Sequence, residues 1–443
     1  MAQEAAKAYW RLTVLWLIVS CGLGVLCAFA LFDPHLLDAH PLFGYGRLVA
    51  AHRTAVIYGF LFNAVFAAGY TLIPRFTDPP DRVYPISTFL ALFGSLVTLT
   101  GLFFILDGHA SGQEYADMPL SISLVFWGFL IAVAVDLGMT VAGGRVLRPH
   151  PSFGLLFPAV LLPAVILPFA LPGWWGSGVF AALRAWISIR ALFFLSFLFA
   201  ALATALAVSG TRTRPVRLSR GIYTIAIALI AATGPFLGIV HLLDAPIPSG
   251  LKALGAFAGV AAATGIFLVA RLLYDGKTAG PSRFLITTGL GWLVVASIQG
   301  ILMVLPPVHS ALHFTLNTSA HAHLALGGIG ALFLAGALVS WSNSKSSIGL
   351  LGAWLFAAGI TGVFLFQGAA GVVQAVAGSR ALGYPDWVDT FKWLQIGVGF
   401  SGLAALVGCV VLGGVVVQNL RSEASMHVQV MAASGEGGTD NEP

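Results

Sequence analysis

Ser319-Ala320-His321-Ala322-His323-Leu324-Ala325-Leu326-Gly327-Gly328 opens an apolar run that continues to Trp341. The two histidines at its head decide how the whole chain is read. On an α-helix, positions two apart are separated by about 200° of rotation, so the imidazoles leave the helix on opposite sides. Such a pair does not readily chelate one ion, as two histidines four apart on one helix face do. Each ring can instead serve its own centre, one on either side of a shared helix.

That run is one of twelve. Apolar stretches long enough to cross a bilayer fall near 10–32, 52–74, 86–106, 119–143, 153–171, 178–209, 221–243, 250–274, 284–305, 319–341, 348–376 and 392–417. Of the 443 residues, 58% are hydrophobic and 9% charged, and the mean hydropathy is +0.91. These values exclude a soluble globular protein and predict an all-α integral membrane bundle in contact with lipid. Residues 1–420 form one transmembrane domain in this reading, and the Ser-, Glu- and Gly-rich 421–443 a disordered tail. The first span is too long, and too poor in a small-residue cleavage site, to be a removable signal peptide. With the N-terminus in the cytoplasm, fifteen Lys and Arg fall on the inner side and five (Arg47, Arg53, Lys252, Arg380 and Lys392) on the outer. This predicts both termini inside. The net charge of +5 is then a topology signal and not a footprint for nucleic acid. Cys21, Cys27 and Cys409 sit in apolar spans and read as packing residues. No internal repeat of the inverted-transporter kind stands out.

Topology sorts the eleven histidines. His35, His40, His109, His150 and His427 fall in loops or the tail, where solvated surface is expected, and His309 is placed with them. His52 opens the second span and His321 and His323 the tenth, all on the outer side. His241 closes the seventh span, which also ends outside. Four histidines from three helices thus share one depth. Ionisable groups in a membrane are expensive and tend to be functional. Imidazole is a standard axial ligand of haem iron. Three ligands, two of them back to back, suit one haem held by two histidines and one held by a single histidine. The singly held iron keeps an open position for a small gas.

These residues resemble the catalytic subunit I of haem-copper oxidases, in particular its cbb-type branch, over most of the chain. Gly46-Arg47-Leu48, His52, Thr54-Ala55-Val56-Ile57 and Asn63-Ala64 resemble the family's second-helix segment, whose histidine ligates the low-spin haem b. Gly112-Gln113-Glu114-Tyr115-Ala116-Asp117 resembles the outer loop after its third helix. Its glutamate lies near the haem propionates and a calcium, which the resemblance implies for Glu114. His313-Phe314-Thr315 followed by His321-Ala322-His323 reproduces the tenth-helix spacing. By that match His323 is the second low-spin ligand, His321 holds the high-spin haem and His313 lies near the propionates. Arg47 and Arg53, on the same side, suit propionates bidentately or anchor the interface.

The chain departs from the family where copper is bound. Ala185-Trp186-Ile187-Ser188-Ile189-Arg190-Ala191 aligns with a run in which Ile189 takes a copper histidine's place. In Val240-His241-Leu242-Leu243, Val240 replaces one of two adjacent copper histidines and His241 remains. Gly234 stands where the family's redox tyrosine is expected. Isoleucine and valine offer no lone pair, so no copper is expected, nor the three-histidine iron site of nitric oxide reductases. Arg190, beside the emptied position, either sets a positive charge there or pairs with a propionate or carboxylate elsewhere; with His241 it is a candidate pocket residue. Asp136 is the clearest carboxylate within a span, and it traces no proton route by itself.

The resemblance thus implies two b-type haems in a bacterial inner membrane, without ordinary oxygen reduction. The partners it implies are membrane-anchored c-type cytochrome subunits or another redox subunit, with O2 or NO as candidate ligands. Two other readings stand beside it. One is a working cbb-like oxidase or nitric oxide reductase with an unorthodox site. The other is a haem-free twelve-helix transporter, which would have little use for opposed intramembrane histidines.

Overall fold

Where lipid surrounds a chain, every backbone polar group must be satisfied internally, and a helix does this within one segment. The computed structural model describes residues 2–37, 40–78, 86–142, 145–146, 151–171, 178–208, 217–274, 280–342 and 346–435. Among them twelve helices are long and apolar enough to cross a bilayer, as the hydropathy pattern predicts. The strand pairing among the described residues is one short antiparallel contact of Thr77–Asp78 with Arg145–Val146. His150, the side chain of His427, and several cations used for orientation (Arg82, Arg148, Arg212, Arg214, Lys277 and Lys345) lie outside the described residues.

The spans share the interior unequally. The second (Tyr45–Pro74), sixth (Val179–Val208) and tenth (Leu316–Trp341) are 89%, 67% and 72% buried over their most apolar stretch. The first (Glu4–Phe32) and twelfth (Val388–Asn419) reach 33%. The central helices are therefore those carrying His52, Arg190, His321 and His323. Outer helices turn bulky apolar side chains outward, as Phe89, Leu92, Leu96 and Phe103 do on the third span, Ile86–Leu106. Lipid tails are as apolar as these side chains, so such a face needs no protein cover.

All three central helices leave α-geometry beside those residues. Wider i→i+5 turns occupy Ala55–Leu61, Phe193–Leu198 and Leu324–Ala331. The seventh span (Gly221–Leu242) ends in a tighter 3-10 stretch, Gly234–Leu242, which holds His241. Such insertions re-aim the side chains around them and are frequent at functional sites.

Three boundaries differ from the sequence reading. The second span starts at Tyr45, which puts His52 about two turns inside the helix rather than at its mouth. The tenth starts at Leu316, where the Thr315 hydroxyl caps it by accepting from the Asn317 amide at 3.2 Å. The twelfth helix carries on as Val388–Gly435, into the stretch that composition assigned to a tail, while 436–443 lie outside the described residues. One placement is corrected. His309 is not solvated: it sits on a short helix, Pro306–Leu312, and is 2% exposed. That helix packs against the ninth and eleventh spans, an arrangement no hydropathy pattern encodes.

Candidate functional site

The His-Ala-His geometry opens onto two cavities. One, of about 360 Å³, is lined by His52 and His323 together with Arg53, Glu114 and Tyr115. The other, of about 160 Å³, is lined by His321 on one side and by Arg190, Val240, His241 and His313 on the other. The tenth helix stands between them, and Thr318 and Leu326 border both.

In the larger cavity the His52 and His323 rings lie with centroids 5.9 Å apart and planes 20° from parallel. Two metal–imidazole bonds of about 2 Å, with the ring radii added, call for about 6 Å between imidazoles on opposite faces of one metal. The pair therefore fits a haem iron held between them. Hydrogen bonding aims both rings. The Nδ1 of His52 lies 2.9 Å from the Ser20 carbonyl of the first span, and the Nδ1 of His323 lies 2.9 Å from the Ser319 carbonyl. A carbonyl only accepts, so each Nδ1 carries the proton and each Nε2 is left with its lone pair. This outer support is what orients metal-binding imidazoles. A Cβ on Gly24 would come within 3.0 Å of His52 Cε1, so the first helix leaves room for the ring only by having no side chain there.

At the outer edge of that cavity, Arg53 makes a two-point contact with Asp117, Nε to Oδ2 at 3.0 Å and Nη2 to Oδ1 at 2.6 Å. It also lies 3.7 Å from Glu114. Burial pushes the Asp117 carboxyl above its ordinary range, and the guanidinium opposes that shift. Arg47 donates to the Leu106 carbonyl at 2.9 Å. Both arginines thus have protein partners, and of the two it is Arg53 that borders the cavity.

Across the tenth helix, the Nδ1 of His321 lies 3.2 Å from Gln299 Oε1, and Gln299 in turn donates to Asn317 at 3.4 Å. The Nε2 of His321 is again the free nitrogen. On the facing wall Arg190 contacts His241, with Nε 3.1 Å from Nε2 and Nη2 on the same nitrogen. Trp186 stacks on His241 at 4.0 Å and 14°, and the Arg190 guanidinium lies over the Phe193 ring at 5.6 Å. No carboxylate among the described residues is within salt-bridge distance of Arg190. Ile189 is 1% exposed and is not among the residues bordering the cavity, whereas its neighbour Arg190 is. Gly234 packs against the Phe194 ring, whose Cγ would lie 2.7 Å from an added Cβ. His313 stands beside His241, His309 and Asp244 rather than alone.

Sequence reasoning missed Gln299, Trp186, Asp117 and Asp244. Gln299 is the clearest omission, because an amide within an apolar span is itself a signal. The Ser20 carbonyl has no sequence signature, since every residue carries one.

The family model described as cytochrome c and quinol oxidase polypeptide I matches residues 4–407. A curated relative, the cbb3-type cytochrome c oxidase subunit CcoN1 of Stutzerimonas stutzeri, is 25% identical over 376 residues, covering 79% of this chain and 78% of the relative. The fold is also similar to that of a solved heme-copper terminal oxidase dimer, with a TM-score of 0.62 and 13% identity over 93% of this chain and 84% of that one. The chain belongs to the cytochrome c and quinol oxidase polypeptide I family, the haem-copper oxidase subunit I, is similar within it to the cbb3-type members, and is a multi-pass membrane protein of electron transfer.

Proposed function

We propose that this chain is a dihaem b redox subunit that passes electrons within a respiratory complex and has exchanged the copper half of its family's site for a fixed cation. The observation that carries this reading is the contact between Arg190 and His241. A guanidinium has N–H donors and no acceptor, so the nitrogen it meets must supply the lone pair. That lone pair is then not available to a metal, and Ile189 and Val240 bring none. The donor set does not fit copper.

It does fit haem. His52 and His323 would hold the low-spin haem and His321 the high-spin one, each through an Nε2 that the hydrogen bonds leave free. Bound haem supplies one-electron chemistry; the protein supplies the orientation of the three imidazoles, the apolar walls and the charge of Arg190. That charge faces the cavity opposite His321, where a diatomic such as O2 or NO would meet N–H donors. Arg53 and Glu114 border the low-spin cavity and His313 the smaller one, and with Arg47, included by the family resemblance, these four are the propionate region of the reading. A calcium at Glu114 is poorly supported: the cation wants six to eight oxygens, and Glu114 already faces Arg53. By likeness to its relatives the chain would reside in a bacterial inner membrane, and the Lys and Arg count would put both termini in the cytoplasm. Residues 1–420 would form the haem domain, and a membrane-anchored c-type cytochrome or another redox subunit would be the partner.

Purified protein tests this directly. Two b-type haems per chain by pyridine haemochrome, with copper far below one per chain by elemental analysis, is the expected result. Copper near one per chain would overturn the reading, and absence of haem would overturn every redox role. Sustained O2 or NO consumption without copper would make the chain a catalyst rather than a relay.

A further inference from the structure

Behind the wall of the smaller cavity, which they meet through His313, three side chains from separate segments converge. Asp244 follows the seventh span, His309 lies on the short helix Pro306–Leu312, and His313 caps that helix at its C-terminal end. Their donor atoms all lie within 4.8 Å of one another. Nε2 of His309 is 3.0 Å from Asp244 Oδ2, and Nδ1 of His313 is 3.6 Å from the same oxygen. A tetrahedral ion with bonds of about 2 Å spaces its ligand atoms by about 3.3 Å, which these two distances bracket. The histidines are four apart, the spacing that puts two imidazoles on one helix face, and their rings stack at 4.2 Å.

Proton accounting points the same way. Nδ1 of His309 lies 3.3 Å from the Met303 carbonyl, which can only accept, so that nitrogen carries the proton. The Nε2 lone pair of a neutral His309 then faces a carboxylate, two acceptors 3.0 Å apart. Nδ1 of His313 is buried and has no hydrogen-bond partner. Its Nε2 is 3.5 Å from His241 Nδ1, which carries a proton because His241 Nε2 meets Arg190, so a neutral His313 holds its own proton on Nδ1 and an ion must displace it. Two imidazole nitrogens and a carboxylate oxygen therefore converge, with the His309–Met303 contact serving as the outer support such ligands use, and a divalent ion would take the place of the proton between them.

We propose that Asp244, His309 and His313 form a site for a zinc-type first-row divalent cation, which clasps the loop after the seventh span to the segment before the tenth. Two imidazoles and one carboxylate are a zinc donor set, and Asp244, 42% exposed, gives the ion its way in from solvent and leaves a position for water. The clasp ties the segment bearing His241 to the one leading into His321 and His323, so it would hold the two walls of the smaller cavity in register. It is separable from the haem assignment: Asp244 and His309 have no part in that reading, and His313 enters it only in the propionate region and not as an iron ligand.

The test uses full-length protein in detergent, stripped with a chelator and equilibrated with micromolar Zn2+. The expected result is one tightly held zinc per chain by elemental analysis, with an X-ray absorption edge fitted by two imidazoles and one carboxylate oxygen. Asp244→Asn should weaken binding at least tenfold, and His309→Gln should abolish it. His109→Ala is the control: His109 forms an exposed pair with Asp107 elsewhere on the outer surface, and its loss should change nothing. Zinc retained equally in Asp244→Asn, or lost in the His109 control, overturns the proposal. So does a wild-type chain that binds none. If the buried His309 variant does not fold, Asp244→Asn, on an exposed loop, decides alone, with a monodisperse size-exclusion profile and unchanged helical circular dichroism reporting that the fold is intact.

Discussion

An imidazole whose Nδ1 is held by a carbonyl or amide oxygen offers only its Nε2, and all three candidate haem ligands are in that state. This separates them from His241, whose Nε2 meets Arg190. Two substitutions test the division. His323→Ala should abolish the low-spin haem spectrum, whereas His321→Ala should remove the high-spin component and spare the low-spin one; unchanged spectra in both would refute the ligand assignment. Arg190→Gln keeps a donor and removes the charge. A charge-assisted hydrogen bond contributes about 1.5–3 kcal/mol, so the variant should bind cyanide or NO at least about tenfold more weakly in a Soret titration. At the rim, Asp117→Asn strips the charge from a 2%-exposed carboxylate. Leaving Arg53 without its main counter-ion should destabilise the protein by about 3–5 kcal/mol, read as a lower unfolding midpoint in detergent.

At the scale of helices, the site depends on irregularity. The wider turns at Ala55–Leu61, Phe193–Leu198 and Leu324–Ala331 each follow a candidate site residue within one turn. Their sequences are as apolar as any regular span, which is why hydropathy does not announce them. Close approach of the sixth and seventh spans is set by Gly238, where a Cβ would come within 2.5 Å of the Trp186 and Ile187 backbone. Backbone cannot move aside as a side-chain tip can. Gly238→Ala should therefore spread the two helices at about 1–3 kcal/mol and separate Arg190 from His241. The expected readout is a perturbed high-spin spectrum beside an unchanged low-spin one. Gly128→Ala, where an added Cβ meets nothing within 4 Å, should alter neither.

For the whole molecule, twelve spans and an inner-side excess of Lys and Arg predict a C-terminus in the cytoplasm. A C-terminal reporter fusion that is active only in the periplasm should stay silent; activity there would reverse the topology. Asp136, the carboxylate singled out within a span, accepts from Ser87 at 2.6 Å and from Tyr70, and borders neither of the two cavities.

The sequence by itself determined the membrane class, the number of spans and the opposition of His321 and His323. Each follows from composition or from a helical repeat of fixed pitch, and both are local properties. His52 and His241 could be brought to the same depth by counting crossings, because a bilayer admits only alternation. What only the tertiary structure decided is who meets whom: that His52 lies 5.9 Å from His323, that Arg190 rather than Ile189 turns toward His241, and that His309 is drawn from solvent to Asp244 and His313. Those pairings depend on helix rotation, on inserted turns and on a short helix packed against the ninth and eleventh spans. Rotation and insertion are set by packing against neighbours, and a hydropathy pattern that is apolar on every side carries no phase.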